Sequence, residues 1–300
     1  MPGSDDGAID AIEWIIERVL DGLAREDGDR DAGSAGLTLL LRTYCATDRA
    51  ELAEALGPAL ARAAERAPSA EDPLQHAGWL MLFAEASAVS DDDRIRVAAA
   101  DRVFALRQLW GRAHEVEPLA LSIDACLIAS DGAHPPDILP DAIDELERVV
   151  GGAYRPGAGI AARVNEPGGI RGRLGDHVRA ASALLTAFSH TGRLPYAMLA
   201  EELMQFARQT LWDDRDGGFF EKPAAPVKPF ALNCEASRVL CRLALLHDTP
   251  EYSAAAVLAP GADYGRDAAR ALAAMEPSYR DYGGDAAVYA LALGEWRGLR

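Results

Sequence analysis

Two kinds of helical segment alternate along this 300-residue chain, and that alternation restricts its fold more than any other feature. Apolar residues recur at three-to-four-residue spacing nearly throughout, while the every-second-residue alternation of strands is scarce. Reading Gly, Pro and polar clusters as breaks predicts helices over 8–26, 36–46, 49–66, 74–88, 92–112, 117–130, 137–150, 175–190, 195–212, 232–247, 265–275 and 285–296. The even-numbered segments, such as LQHAGWLMLFAEAS, PLALSIDACLIAS and EASRVLCRLALL, are apolar nearly all round and poor in charge. The odd ones, such as ELAEALGPALARAAER and RIRVAAADRVFALRQLW, carry a charged face. A helix apolar on every side is buried, and one with a charged face meets water. Inner and outer helices in alternation, at a repeat of roughly 50 residues, describe a double-layered helical array. Whether the array closes into a ring is left open by the pattern.

The joints repeat as well. LLLRTYCATDRAEL from Leu39, LLTAFSHTGRLPY from Leu184 and RLALLHDTPEY from Arg242 each run from an apolar helix through a short Thr, Asp or Gly turn into an amphipathic helix. Two connections break the rhythm by their length, residues 151–173 and 213–231. Long connections inside a helical domain are uncommon and concentrate binding and catalytic groups. They are expected to pack over one end of the array.

Composition excludes several functions. Asp and Glu outnumber Lys and Arg 47 to 30, for a net charge of −17, which disfavours both nucleic acid and anionic lipid as partners. No stretch is long and apolar enough to span a membrane, and the acidic start lacks the basic and apolar regions of a signal peptide, so the cytoplasm is the default location. Cys45, Cys126, Cys234 and Cys241 form no CxxC pair and have no histidine at zinc-ligand spacing. All four lie in apolar helical contexts and read as buried free thiols, and neither a metal nor a cofactor is expected.

The stretch RLGDHVRAASALLTAFSHTGRLPYAMLAEELMQFARQTLWDDRDGGFF from Arg173 resembles the helical half of the thioredoxin-domain-containing family that includes spermatogenesis-associated proteins. Shared features are an Asp-led helix start, an Ala-Leu-Leu helix, a Thr-Gly turn and an aromatic–Asp…Gly-Gly-Phe loop. FALNCEASRVLCRLALLHDTPEY from Phe230 is similar to that family's Asn-Ser…Leu-x-Arg-Leu helix. The likeness covers residues 150–295; before that only the helical rhythm agrees. That family's helical part is similar to the N-acylglucosamine 2-epimerase and six-hairpin glycosidase group. The resemblance therefore implies an all-α (α/α)6 toroid of about twelve helices, one domain over residues 1–300, with two long loops over one mouth. It also implies carbohydrate chemistry. The thioredoxin half is absent, the family's Asp-Tyr-Ala becomes Asp176, His177 and Val178, and its Asn-Ser becomes Asn233 and Cys234.

In such a ring the inner helices aim their N-termini, with free N–H groups and a partial positive charge, at one mouth. Gln75, His76, Glu117, Asp176, His177, Asn233, Glu235 and Asp285 fall there, and Trp79 one turn further could stack on a sugar ring. Hydrolysis of a glycoside needs two carboxyl groups, for which Asp176 and Glu235 are the candidates, and epimerisation needs a base on each face of a carbon, for which His76 and His177 are. Asp176 is equally suited to capping its helix. Arg171 and Arg173 are candidates for holding a substrate's carboxylate or hydroxyls. The DDRDGG run at 213–218 reads as a glycine-assisted turn, since the twelve-residue calcium pattern is missing. Two functions follow: a sugar epimerase or glycosidase-like enzyme working by Asp176, His177 and Glu235, or a non-catalytic scaffold for a sugar or a separate thioredoxin-like protein.

Overall fold

A computed structural model describes residues 5–24, 33–66, 72–130, 138–166, 168–223, 226–255, 259 and 261–299. The sequence breaks around residues 28–32, 68–71 and 132–136 lie outside the described residues. The first half runs α1 (Asp5–Ala24), α2 (Ser34–Thr47), α3 (Ala50–Glu65), α4 (Pro73–Ser87), α5 (Asp93–Arg107), α6 (Val116–Ala129) and α7 (Ile138–Ala153). A short hairpin follows, β1 (Tyr154–Arg155) with β2 (Gly159–Ile160). The chain then continues as α8 (Leu174–Thr191), α9 (Leu194–Leu211), α10 (Phe230–His247), α11 (Pro250–Ala255), α12 (Tyr264–Met275), a 3-10 stretch (Glu276–Ala286) and α13 (Ala287–Arg297).

Helices α2, α4, α6, α8, α10 and α13 each pack on the next, and α13 returns to α2, so the ring closes. Helices α1, α3, α5, α7, α9 and α12 lie outside, each against an inner partner. The fold is an (α/α)6 toroid. The chemistry of the two layers explains the sorting. Helix α6 buries eleven of its residues, among them Leu119, Ile123 and Leu127, because both its flanks and its back face protein. Helix α7 buries Ile138, Ala142, Ile143, Leu146 and Val149 and turns Asp141, Asp144 and Glu147 outward. Each buried Leu or Ile stabilises such packing by about 1.5–3 kcal/mol relative to exposure.

The repeated joints have a structural counterpart. Asp48 after α2 and Gly192 after α8 both take left-handed φ, 53° and 66°, and each donates its N–H to a carbonyl four residues back. The third joint stays right-handed at Asp248 and leads into α11, which the periodicity did not separate. Two other expectations are corrected. The helix expected over 92–112 stops at Arg107, where the chain tightens into turns ending at Gly111 with φ 72°. The break around Pro277–Gly284 is instead 3-10 helical, interrupted only at Gly283. Cys126, Cys234 and Cys241 are buried free thiols, whereas Cys45 is exposed near the end of α2. No helix among the described residues is long and apolar enough to cross a membrane, and none of their His, Cys, Asp and Glu side chains group into a metal site.

Candidate functional site

Both long loops fold over the N-terminal ends of α6, α8 and α10. The first, from Tyr154, carries the hairpin, and bridges Ala161 to Arg171 and Arg163 to Glu115. Val116 N–H donates to Ala162 O at 2.9 Å and Val164 N–H to His114 O at 2.8 Å, tying this loop to the start of α6. The second meets it where Leu174 N–H donates to Glu221 O at 2.9 Å. Its DDRDGG segment is a turn, with Gly217 and Gly218 at φ 76° and 78°. Lys228 Nζ lies 2.7 Å from both Asp213 Oδ2 and the Gly217 carbonyl, so an ammonium group fills the concave side of that turn.

Under these loops sits a carboxyl pair. Asp176 is the third residue of α8, whose N-cap is Arg173, so it does not cap its own helix. Its carboxylate accepts instead from the backbone N–H of Glu117, at the start of α6, while Oδ2 has no partner. The residue is 2% exposed. Burial, reinforced by the negative charge of Glu117, pushes its pKa up to about 7, against smaller opposition from Arg173. Glu117 returns the contact: a Cβ on Gly175 would lie 2.5 Å from its carboxyl carbon, so only glycine lets this group settle on the first turn of α8. Burial also raises the Glu117 pKa, with Arg179 opposing. Arg179, one turn further along α8, is ion-paired with Glu235 of α10. The arrangement sets a carboxyl whose pKa is pushed up to about 7 beside Glu117 and the guanidinium groups of Arg173 and Arg179 at the mouth. Gly175→Ala is expected to displace the Glu117 carboxylate and lower the Asp176 pKa by removing a like charge, which titration of Asp carboxyl carbons by NMR would detect.

The inner wall stays polar below this level. Arg42 of α2 is bidentate to Glu85 of α4 at 2.6 and 2.9 Å and reaches Glu295 of α13, which also pairs with Arg238 of α10. Asp124 of α6 accepts from Ser182 Oγ at 2.6 Å, and Arg242 donates to Ser182 and Thr186. Asp124 Oδ1 is buried without a partner.

The candidates from the sequence lie in different surroundings. Arg173 is exposed and its charge is felt at both Asp176 and Glu117, while Glu235 is paired with Arg179 and its charge is felt at Glu117. Gln75 and Asp285 are exposed at inner-helix starts, and His76 is buried in the first turn of α4. Trp79 stacks on Phe83, over which Arg102 of α5 lies, so its ring packs between layers. Three candidates are occupied by the backbone. His177 Nε2 accepts from Ile160 N–H at 3.3 Å, so Nδ1 carries the proton and donates to Arg173 O at 2.8 Å. The fully buried ring stacks on Phe206 at 5.0 Å, and burial drives its pKa down to about 4. It latches the first loop to α8 and does not join His76. Asn233 does the same for the second loop, accepting from Phe219 N–H at 2.7 Å and donating to Phe219 O and Pro229 O. Arg171 donates to Ala153 O and Gly159 O at 3.0 and 2.8 Å, fastening the hairpin to the end of α7. Arg179 escaped the sequence reading, although its spacing of three from Asp176 puts it on the same helix face.

No protein-family model matches the chain, and no curated protein matches it. Solved structures do. A D-mannose isomerase superposes with a TM-score of 0.72 at 12% identity, covering 98% of each chain. An unsaturated glucuronyl hydrolase specific for heparin gives 0.71 at 10% identity, again over 98% of each. An α-1,6-mannanase from Salegentibacter sp. gives 0.67 at 11% identity, over 97% of this chain and 98% of that one. These neighbours are six-hairpin glycosidase-like proteins, and at such identities the likeness is one of fold.

Proposed function

We propose that this chain is a carbohydrate-active enzyme that works at the loop-covered mouth by two-carboxyl acid–base chemistry. The observation that carries the reading is Asp176: a buried carboxyl with one free oxygen that keeps its proton to about pH 7 beside a second carboxyl, Glu117. A group so tuned can protonate a leaving oxygen near neutral pH, while an ionised neighbour activates water on the opposite side. Asp176 is the general acid, and the second carboxyl is Glu117, whose pKa burial raises against the opposing charges of Arg179 and Arg173. Glu235 fixes Arg179, which orients hydroxyls of the substrate. Gln75, Arg173 and Asp285 line the rim as further contacts. Hydrolysis is favoured over epimerisation because the second imidazole that a two-histidine epimerase would use, His177, is committed to Ile160 and Arg173. That the mouth processes sugars at all is supported by the company of the fold, an isomerase and two hydrolases of carbohydrates.

The test is turnover. The full chain would be incubated with D-mannose, α-1,6-linked mannooligosaccharides and uronate-ended disaccharides, and products followed by chromatography across pH. The expected result is a product whose rate of formation falls as pH rises past about 7, the pKa of Asp176. Binding without turnover at any pH would contradict catalysis and leave a sugar-binding toroid. Absence of binding would leave the competing reading that the resemblance over residues 150–295 supports, a scaffold for a separate thioredoxin-like protein.

A further inference from the structure

At the rim, between the starts of α10 and α13, one exposed aromatic ring is stacked on a buried one. Tyr282 lies in the 3-10 stretch and is 46% exposed. One face of its ring is stacked on Phe230, the first residue of α10, at 4.1 Å between centroids and 13° between planes. Phe230 in turn leans on Tyr289 at 5.9 Å, Tyr289 stacks on Tyr279 at 5.4 Å, and Trp14 of α1 meets Tyr279 edge-on at 5.5 Å. Phe230 therefore holds the plane of Tyr282 and is itself backed by three further rings, from α13, the 3-10 stretch and α1. Gly283, at φ 55°, lets the chain turn immediately after it.

A single exposed aromatic is ordinary on a protein surface. This one differs in place and in backing. It stands at the same end of the ring as Asp176, Glu117 and Glu235, since α8, α6 and α10 all present their N-termini there. Its fixed plane means that little side-chain entropy is left to lose when something stacks on the outer face. The exposed face of a phenol suits a flat patch of C–H bonds, and a pyranose ring offers such a patch on the side away from its axial hydroxyls.

We propose that Tyr282 is the stacking platform of the mouth and a specificity-determining residue, taking the C–H face of a pyranose and setting which ring faces the acid. The inference rests on the carbohydrate reading above and replaces Trp79 as the stacking group. Asp285, three residues on and exposed, accepts from hydroxyls at the edge of the stacked ring.

The experiment is calorimetric titration of the wild-type chain, Tyr282→Ala and Tyr282→Phe with D-mannose and with α-1,6-mannotetraose. Tyr282 is exposed, so both variants are expected to fold, and melting curves check this. Affinity for whichever sugar the wild type binds is expected to fall about ten-fold or more in Tyr282→Ala and to be restored to within about three-fold by Tyr282→Phe, because stacking needs the ring and not the hydroxyl. Sugar binding unchanged in Tyr282→Ala would overturn the platform and leave the carboxyl site standing. Equal losses in both variants would overturn it too, in favour of a hydroxyl contact. Failure of the wild type to bind either probe would overturn the carbohydrate reading and this inference with it.

Discussion

Asp176→Asn is expected to melt higher than the wild type at pH 8 while losing catalysis. The sign follows from linkage. The Asp176 pKa is near 3.8 unfolded and about 7 folded, so between those values the unfolded chain sheds a proton that the folded chain keeps. Stability from this group is whole below pH 4, is lost as pH rises toward 7, and stays lost above it. The amide has no proton to shed and still accepts from Glu117 N–H through its oxygen. Allowing for the unpaired amide N–H groups, the gain at pH 8 is on the order of 2 kcal/mol, or roughly 4–8 °C. At pH 4 no gain is expected. Loss of the proton donor should lower kcat by about 100-fold to 10,000-fold for any sugar the wild type turns over. A second readout comes from His177, whose shift runs the other way, from 6.5 to about 4. Its stabilisation is full above pH 6.5 and is lost on acidification toward 4. In the wild type the two groups oppose each other between pH 4 and 6.5. The Asn variant should expose the histidine alone, with stability climbing by about 3 kcal/mol across that window. Denaturant melts at half-unit pH steps measure both effects. A variant that melts below the wild type at pH 8 would mean that the folded state stabilises the Asp176 carboxylate, contrary to a pKa raised by burial.

Gly159→Ala is expected to be the most damaging small substitution at the mouth. Gly159 has φ 66°, and an added Cβ would overlap His177 Nε2 and lie 2.7 Å from Phe206 Cδ1. The His177 ring is fully buried and stacked on Phe206, so it cannot step aside without breaking that contact. Left-handed strain of about 1–2 kcal/mol and overpacking of about 1–3 kcal/mol add to a loss on the order of 3 kcal/mol, with the hairpin lifted from α8. Gly157→Ala is the matched control. Its φ is 68°, but nothing lies within 4 Å of its Cβ, so it should show the strain alone, about 1 kcal/mol. Chemical denaturation of the pair separates the clash from the strain; equal losses would remove His177 from its role as a latch.

The double layer was legible because its two kinds of helix leave different marks, whereas closure of the ring was implied only by the family resemblance. Inner helices such as α6 read as apolar all round and outer ones such as α7 as two-faced, so twelve segments and most of their ends follow from the sequence. The Thr-Gly turn at Gly192 needed only local chemistry. The site was legible in part. Asp176 stood out as a carboxyl at an inner-helix start, and Glu117 could be placed at the mouth without a role. What separates Asp176 from His177 is helix rotation of about 100° per residue, which turns one toward α6 and the other toward the loop. That phase is set by packing, and the groups that claim His177, Ile160 and Phe206, lie 17 and 29 positions away in the chain. Asn233 was misread for the same reason, since its partner Phe219 sits in a loop with no periodicity to fix it. Tyr282 was hidden because its segment reads as a break, and its backing rings come from α1, α10 and α13.

The most direct measurement is the proton itself. Carbon-13 NMR of the chain labelled at aspartate carboxyl carbons, titrated from pH 4 to 9 beside Asp176→Asn, would show each Asp carboxyl as it ionises. The account predicts one resonance titrating near pH 7 in the wild type and missing from the variant. If every aspartate titrates below about pH 5, within the ordinary range for the residue, the mouth holds no acid poised for neutral pH, and the proposed chemistry is wrong.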